Sequence, residues 1–255
     1  MSLASVAVRL YGAAARIVPF ERESFRSLFS AAYFANKRFE DPFAALIAAR
    51  PDLFLGGNVL DIGANIGYTA LLFARAVRPP FVVHALEPHP GCATTLRRNV
   101  ERSPLRDRVS VHAVAAGATP GSARLSVNRY HPGDHRIVSP SSTAESLDVA
   151  MVRADDLIGG QPVAFAKIDV QGFELEVSRG MTAILDANPN IAVAFEYAPA
   201  ALRNYGVDPQ SLLDFYVERG FSLNLLDCGR VRETTASQIS GFIRGENYSN
   251  ILCLR

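Results

Sequence analysis

Asp61 is the first residue in this chain placed to do chemistry. It lies in a short apolar run, 58–62, that is followed by Gly63, Ala64, Asn65, Ile66 and Gly67 and then by an apolar stretch over 68–77. That order predicts a buried strand, a tight glycine turn and a helix start. In open α/β sheets ligands bind beyond the carboxyl ends of the strands. The glycines let a ligand approach the backbone, and a helix start offers unpaired N–H groups. A dinucleotide turn has the pattern G-x-G-x-x-G. Here it is G-x-N-x-G, with Asp61 two residues before the first glycine. An acidic residue there serves a diphosphate poorly and serves an amino group and a sulfonium well. A second apolar run, 81–86, ends in Glu87-Pro88, 26 residues after Asp61. The spacing slightly exceeds the roughly 20 residues of dinucleotide folds, but a carboxylate at that strand end suits the hydroxyls of a ribose. Together these features point to S-adenosylmethionine. Thr69 in the first helical turn, Pro88 beside Glu87, and Ala115 after the third strand are counted with the cofactor contacts. The plain alternative is a turn that only connects strand to helix.

A second group of reactive residues lies in FAKIDVQGFELE, residues 165–176. Lys167 and Asp169 are two apart on an expected strand and so share a face. Burying them is costly unless they are paired or functional. Gly172 permits a sharp turn. Glu174 opens the next helix, where a negative charge is favourable in any case. Glu196 ends the strand in AFEYAP, either as a solvated strand end or as a partner for Asp169. Two carboxylates converging with a histidine could bind a divalent metal or share general-base work. The loop HPGDH supplies His131 and His135, with Asp134 between them. His135 is a candidate base, although a loop histidine is commonly a surface residue. The catalytic candidates are therefore Asp169, His135, Glu196 and Lys167, and any metal would fall to Asp169 and Glu196. His84 and His112 read as packing residues.

These residues need a scaffold. Strands are expected over 58–62, 81–86, 109–114, 163–169 and 191–196. Helices are expected over 67–77, 90–102, 173–187 and 209–219. The alternation implies a parallel sheet with helices on both faces. The tail, 221–227 and 248–254, reads as two strands without a full helix between them, an antiparallel pair suited to a sheet edge. Residues 123–128 look strand-like and precede a long polar loop, 129–144, of the kind that forms lids or binding loops. Residues 1–54 read as a helical extension to a domain over 55–255, with Asp41-Pro42 as a helix start.

Composition narrows the function. The chain has 255 residues, 49% of them hydrophobic, and a net charge of +1. That is ample for a core and gives no electrostatic case for nucleic acid. Arg97, Arg98, Arg102, Arg106 and Arg108 cluster locally and read as a solvated helix face with its following loop. Cys92, Cys228 and Cys253 match neither a metal spacing nor a disulfide framework, which suits a reducing cytoplasm. The apolar stretch over 3–18 is interrupted by Arg9 and Arg16 and is too short to span a bilayer. It reads as an amphipathic helix packed on the domain or on a second subunit in a homodimer, with membrane-surface contact as the alternative.

With these residues in view, the chain resembles the FkbM-type methyltransferases, a branch of the class I S-adenosylmethionine-dependent family. The motifs are LDIGANIGYT at 60–69, ALEP at 85–88, KIDVQGFE at 167–174 and FEY at 195–197, and the resemblance covers roughly 57–255. It implies a doubly wound, mostly parallel seven-stranded Rossmann-like sheet with an antiparallel C-terminal edge. It also implies methyl transfer to an oxygen of a sugar, glycolipid or polyketide-like acceptor. By analogy Asp61, Gly63, Asn65 and Gly67 hold the methionine end of the cofactor and Glu87 the ribose. The chain departs from the family at Gln171, where glutamate is usual, and at Val114-Ala115-Ala116-Gly117, where many class I members carry an acidic residue near the adenine. The rival readings are a nicotinamide-dependent Rossmann enzyme and a cofactor-binding homologue without chemistry.

Overall fold

The structure, a computed structural model, describes residues 41–128, 135–139, 142–227, 230–243, 245 and 247–255. Five strands run parallel at its centre: β1 (Asn58–Ile62), β2 (Val83–Leu86), β3 (Val109–His112), β8 (Val163–Ile168) and β9 (Ala192–Tyr197). They are joined on one side by β12 (Ser249–Leu254), β10 (Ser222–Asp227) and β11 (Arg230–Thr234), in the order β11-β10-β12-β9-β8-β1-β2-β3. The last three strands pair antiparallel. β1 and β2 are buried along their whole length. Both faces of these strands are covered, which is why they read as unbroken apolar runs.

The chain moves outward from β1 to β2 and β3, then crosses back to β8 on the other side of β1. This reversal places the crevice at the carboxyl ends of β1 and β8, where ligands of doubly wound sheets bind. On one face of the sheet, Phe43 of α1 (Phe43–Ala49), Phe54 of a following 3-10 turn, Phe73 of α2 (Tyr68–Phe73) and Phe165 of β8 form a ring cluster. The Phe54 and Phe165 centroids are 4.5 Å apart. Across the sheet, Leu60, Ile62, Ile168 and Phe195 pack with Leu175 of α5 (Glu174–Arg179) and with Leu212 and Tyr216 of α8 (Pro209–Val217).

The principal sheet has eight strands, not seven. The extra one is β11, a polar edge strand with no apolar alternation to announce it. A short helix, α9 (Ala236–Phe242), follows it, so the tail is more than a bare strand pair. β12 is also not at the edge but inserted between β9 and β10. A second sheet, β4-β7-β5-β6, is formed by β4 (Ala115–Ala116), β5 (Gly121–Ser126), β6 (Arg136–Val138) and β7 (Ser146–Val152). Only the strand over 123–128 was legible there. The others are short or carry few buried side chains, so the period-2 signal is weak.

The expected helix over 173–187 is two helices, α5 and α6 (Thr182–Ala187). α5 ends at Gly180, and the Asp155 carboxylate then accepts from Ala183 N and Ile184 N at the start of α6. α1 begins as the sequence implied, with Asp41 Oδ1 accepting from Phe43 N at 2.8 Å. Residues 1–40, and with them the expected amphipathic helix, lie outside the described residues. No helix among the described residues is long and apolar enough to cross a membrane.

Candidate functional site

Asp61 and Lys167 are direct register partners on β1 and β8. Both face the phenylalanine cluster side of the sheet, two residues on from Val59 and Phe165. Lys167 Nζ lies 3.4 Å from Asp61 Oδ1 and 3.3 Å from Asp169 Oδ2, and donates to Gly63 O at 3.4 Å. Burial pulls the Lys167 ammonium down, but the carboxylates of Asp169 and Asp61 outweigh it and hold the group above the ordinary lysine range. Lys167 is therefore a cation that bridges two strands. Asp61 is fully buried, and its Oδ2 accepts from the Thr69 hydroxyl at 2.7 Å. Its Oδ1 has the Lys167 charge beside it but accepts no hydrogen bond among the described residues.

The turn that follows alternates into left-handed backbone, with φ of +82° at Gly63, +50° at Asn65 and +94° at Gly67. Gly63 is required twice over, because a Cβ there would also collide with the Asp169 carbonyl. Four of the turn's five amides find acceptors within the protein. Gly63 N and Ala64 N donate to Leu86 O, Gly67 N donates to Ala64 O, and Asn65 N donates to Glu87 Oε2 at 2.9 Å. Glu87 Oε1 accepts from His89 N at 2.8 Å. Burial pushes the Glu87 carboxyl up to about 7, against the pull of these two amides. Asp61 and Glu87 thus flank one turn, which has few N–H groups left to cradle a diphosphate.

Further along the crevice, the turn after β8 brings Asp169 next to Glu196 of β9. Gln171 joins them: its Nε2 donates to Asp169 Oδ1 at 3.1 Å and to Glu196 Oε1 at 2.9 Å. Glu174 reaches back into the same turn. Its carboxylate accepts from Val170 N at 3.1 Å and from Gly172 N at 3.0 and 3.1 Å. Burial pushes Glu174 up to about 7. A polar relay thus runs Thr69–Asp61–Lys167–Asp169–Gln171–Glu196. Sequence reasoning found its acidic members but missed Gln171. The available signal was position: a polar residue two beyond Asp169, at the mouth of the crevice.

In this arrangement a donor, the Gln171 –NH₂ group, lies between Asp169 and Glu196, where a divalent cation would otherwise sit. His89, Cys92 and His135 form the group of potential metal ligands found among the described residues. The rings of His89 and His135 stack with centroids 4.1 Å apart. His89 Nδ1 accepts from Cys92 N, as the cap of α3 (Pro90–Glu101), and His135 Nδ1 accepts from Asn128 N. Each neutral ring therefore keeps its proton on Nε2. A ligating histidine needs one bare nitrogen and donates from the other, so this trio does not suit a metal. In this tautomer the lone pair of His135 Nδ1 is engaged by Asn128 N. It packs against His89, beside Glu87. His131 and Asp134 lie outside the described residues.

Two further expected contacts find other uses. Thr69 spends its hydroxyl on Asp61 and acts through it. Ala115 is buried with Leu125 and Val149 in the core of the small sheet, so its methyl group packs there and does not line the crevice. Pro88 is half-buried beside Glu87. His84 and His112 pack as expected, with Nδ1 of the first 3.2 Å from Nε2 of the second. Arg97, Arg98, Arg102 and Arg106 are exposed, and Arg108 reaches Ala74 O at 3.4 Å. Cys92 and Cys253 are both buried.

Comparison with known proteins agrees with this geometry. The hexuronic acid methyltransferase AglP of Haloferax volcanii is 27% identical over 179 residues, which cover 67% of this chain and 65% of AglP. The crystal structure of methyltransferase FkbM from Methylobacillus flagellatus KT superposes with a TM-score of 0.51 at 17% identity, covering 98% of this chain and 59% of that one. The chain thus spans less than two thirds of either relative's length, and the structural likeness speaks for the fold alone. The model of the methyltransferase FkbM domain matches residues 61–223, the span from the first carboxylate of the crevice into β10. On that match the chain belongs to the FkbM methyltransferase domain family.

Proposed function

We propose that the chain is an S-adenosylmethionine-dependent O-methyltransferase acting on a sugar hydroxyl. The observation that carries this reading is the pair of buried carboxylates, Asp61 and Glu87, on either side of a glycine turn in which four of five amides already have acceptors. Such a site attracts a cationic ligand and offers little to a diphosphate, which argues against a nicotinamide cofactor. Asp61 Oδ1, buried with the Lys167 ammonium 3.4 Å away and no hydrogen bond from the described residues, fits the region of the methionine amino group. Glu87 has lone pairs left for the ribose hydroxyls after accepting two amides. When bound, S-adenosylmethionine supplies a methyl group on a positively charged sulfur, already activated for transfer.

The protein's remaining work is positioning. Lys167 ties Asp61 to Asp169 and so fixes the cofactor turn against the acceptor end. Asp169 is the candidate base: its side chain is 26% exposed, open enough to take a proton from an acceptor hydroxyl. A positioned base contributes about 10² to 10⁴ in rate. Glu196 supports it through Gln171. The segments 1–54 and 129–144 are the proposed recognition elements for the acceptor, and a homodimer is the proposed assembly. The sugar assignment rests on AglP, whose name specifies a hexuronic acid.

The test is transfer of labelled methyl groups to oligosaccharides bearing hexuronic acid, with neutral oligosaccharides as controls. Transfer to the acidic sugars supports the reading. Donor binding without transfer to any glycan contradicts the acceptor assignment. Asp169→Asn is expected to lower turnover by about 10² or more while leaving S-adenosylhomocysteine affinity unchanged. Loss of that affinity instead would put Asp169 in the cofactor shell.

A further inference from the structure

Gln171 carries no step of the reaction drawn above, yet its side chain touches both carboxylates of the acceptor end. The backbone that presents it is unusual and firmly held. Its φ is +56°, a left-handed conformation uncommon outside glycine, asparagine and aspartate. Glu174 pins the amides on either side, at Val170 and Gly172. Gly172, with φ of +106°, lies so close to the Ala201 carbonyl that no side chain fits between them. Strained conformations persist where the surroundings over-determine them, and they cluster at functional sites.

The chemistry of the gap explains what is held there. Asp169 and Glu196 come from adjacent parallel strands and converge. Facing carboxylates repel, and one of them tends to take up a proton unless positive charge or donated hydrogen bonds intervene. A hard divalent cation with oxygen ligands is one solution. A carboxamide with two N–H donors is another. The Gln171 amide gives one hydrogen to each carboxylate, and the Lys167 ammonium lies 3.3 Å from the other oxygen of Asp169.

We propose that Gln171 stands in for a cation: it is the positioning residue that holds Asp169 and Glu196 aligned, so that this acceptor end works without a resident divalent metal. A single change, Gln171→Glu, then converts the place into a divalent-metal site with three convergent carboxylates. The inference rests on the acceptor end lying at these carboxylates, and not on the identity of the methyl donor.

Mn²⁺ is the probe, because it favours carboxylate and water ligands. Calorimetry and thermal unfolding are run with Mn²⁺ and with chelator on the wild-type chain, on Asp169→Asn, on Gln171→Glu and on Asp169→Asn/Gln171→Glu. S-adenosylhomocysteine affinity is measured on the same samples. The wild-type chain is expected to show no saturable Mn²⁺ binding and a melting temperature indifferent to chelator. Gln171→Glu is expected to bind Mn²⁺ at least about tenfold more tightly and to melt higher with it, through its added ligand charge. The double variant loses that gain. Saturable wild-type binding that Asp169→Asn removes overturns the proposal, as does a folded Gln171→Glu that gains no affinity. Should Gln171→Glu not fold, Gln171→Ala decides: with the amide gone, Mn²⁺ raises its melting temperature, and indifference to Mn²⁺ overturns the proposal. Loss of S-adenosylhomocysteine binding in the wild-type chain counts against the donor reading alone.

Discussion

Glu87 and Lys167 show how single side chains set the properties of the crevice. Burial raises Glu87 from the ordinary carboxylate range to about 7. Its folded-state value lies above its unfolded one, so its protonated form contributes stability at low pH, and that contribution is lost as pH rises from about 4.5 through 7. At about 1.4 kcal/mol per unit, the effect is on the order of 3 kcal/mol. Urea unfolding across pH 5 to 8 should therefore show wild type losing ground to Glu87→Gln as pH rises. Cofactor binding follows the opposite sign. Ribose hydroxyls donate to the ionised carboxylate, so affinity for S-adenosylhomocysteine should tighten by up to about tenfold between pH 6 and 8. Glu87→Gln should flatten that dependence in calorimetric titrations. Lys167→Ala leaves Asp61 buried without its cation and should cost about 3–5 kcal/mol in denaturant unfolding. A loss below about 1 kcal/mol would remove Lys167 from its bridging role.

At the scale of elements, the turns do the positioning. Gly63→Ala places a methyl group against the Asp169 carbonyl in left-handed backbone. It should weaken both folding and cofactor binding, read as a lower melting temperature and a higher Kd. Glu174→Ala strips the acceptor from two buried amides at about 1–3 kcal/mol each, and should loosen the turn that presents Gln171. The sequence displayed these turns well. β1 and β8 stood out because strands buried on both faces are plain apolar runs, and the glycines marked where the backbone bends. The small sheet did not stand out, because β4 and β6 are two and three residues long and only one residue of β5 is fully buried. β11 escaped for the same reason. Gln171 was seen only as a departure from the family motif, since which atoms its amide reaches depends on a backbone angle that residue type alone does not reveal.

For the molecule as a whole, the topology explains why the site is where it is. The reversal at β1 and β8 opens the crevice, and the phenylalanine cluster under it anchors α1 to the sheet. Phe54→Ala should cost about 3–5 kcal/mol, with reduced cooperativity of unfolding as a second sign. The strand–helix alternation made this architecture legible from sequence. The antiparallel flank was legible only in part, because β12 is inserted between β9 and β10 and the pairing of distant strands leaves no local trace.

The central claim is that the Gly63–Gly67 turn, flanked by Asp61 and Glu87, receives S-adenosylmethionine. Calorimetric titration of the purified chain with S-adenosylhomocysteine tests it most directly, with reduced nicotinamide dinucleotide as the control ligand. The account predicts saturable binding of the first ligand, none of the second, and roughly tenfold or greater weakening in Glu87→Ala. No binding of S-adenosylhomocysteine at millimolar concentration, or unchanged affinity in Glu87→Ala, would contradict it.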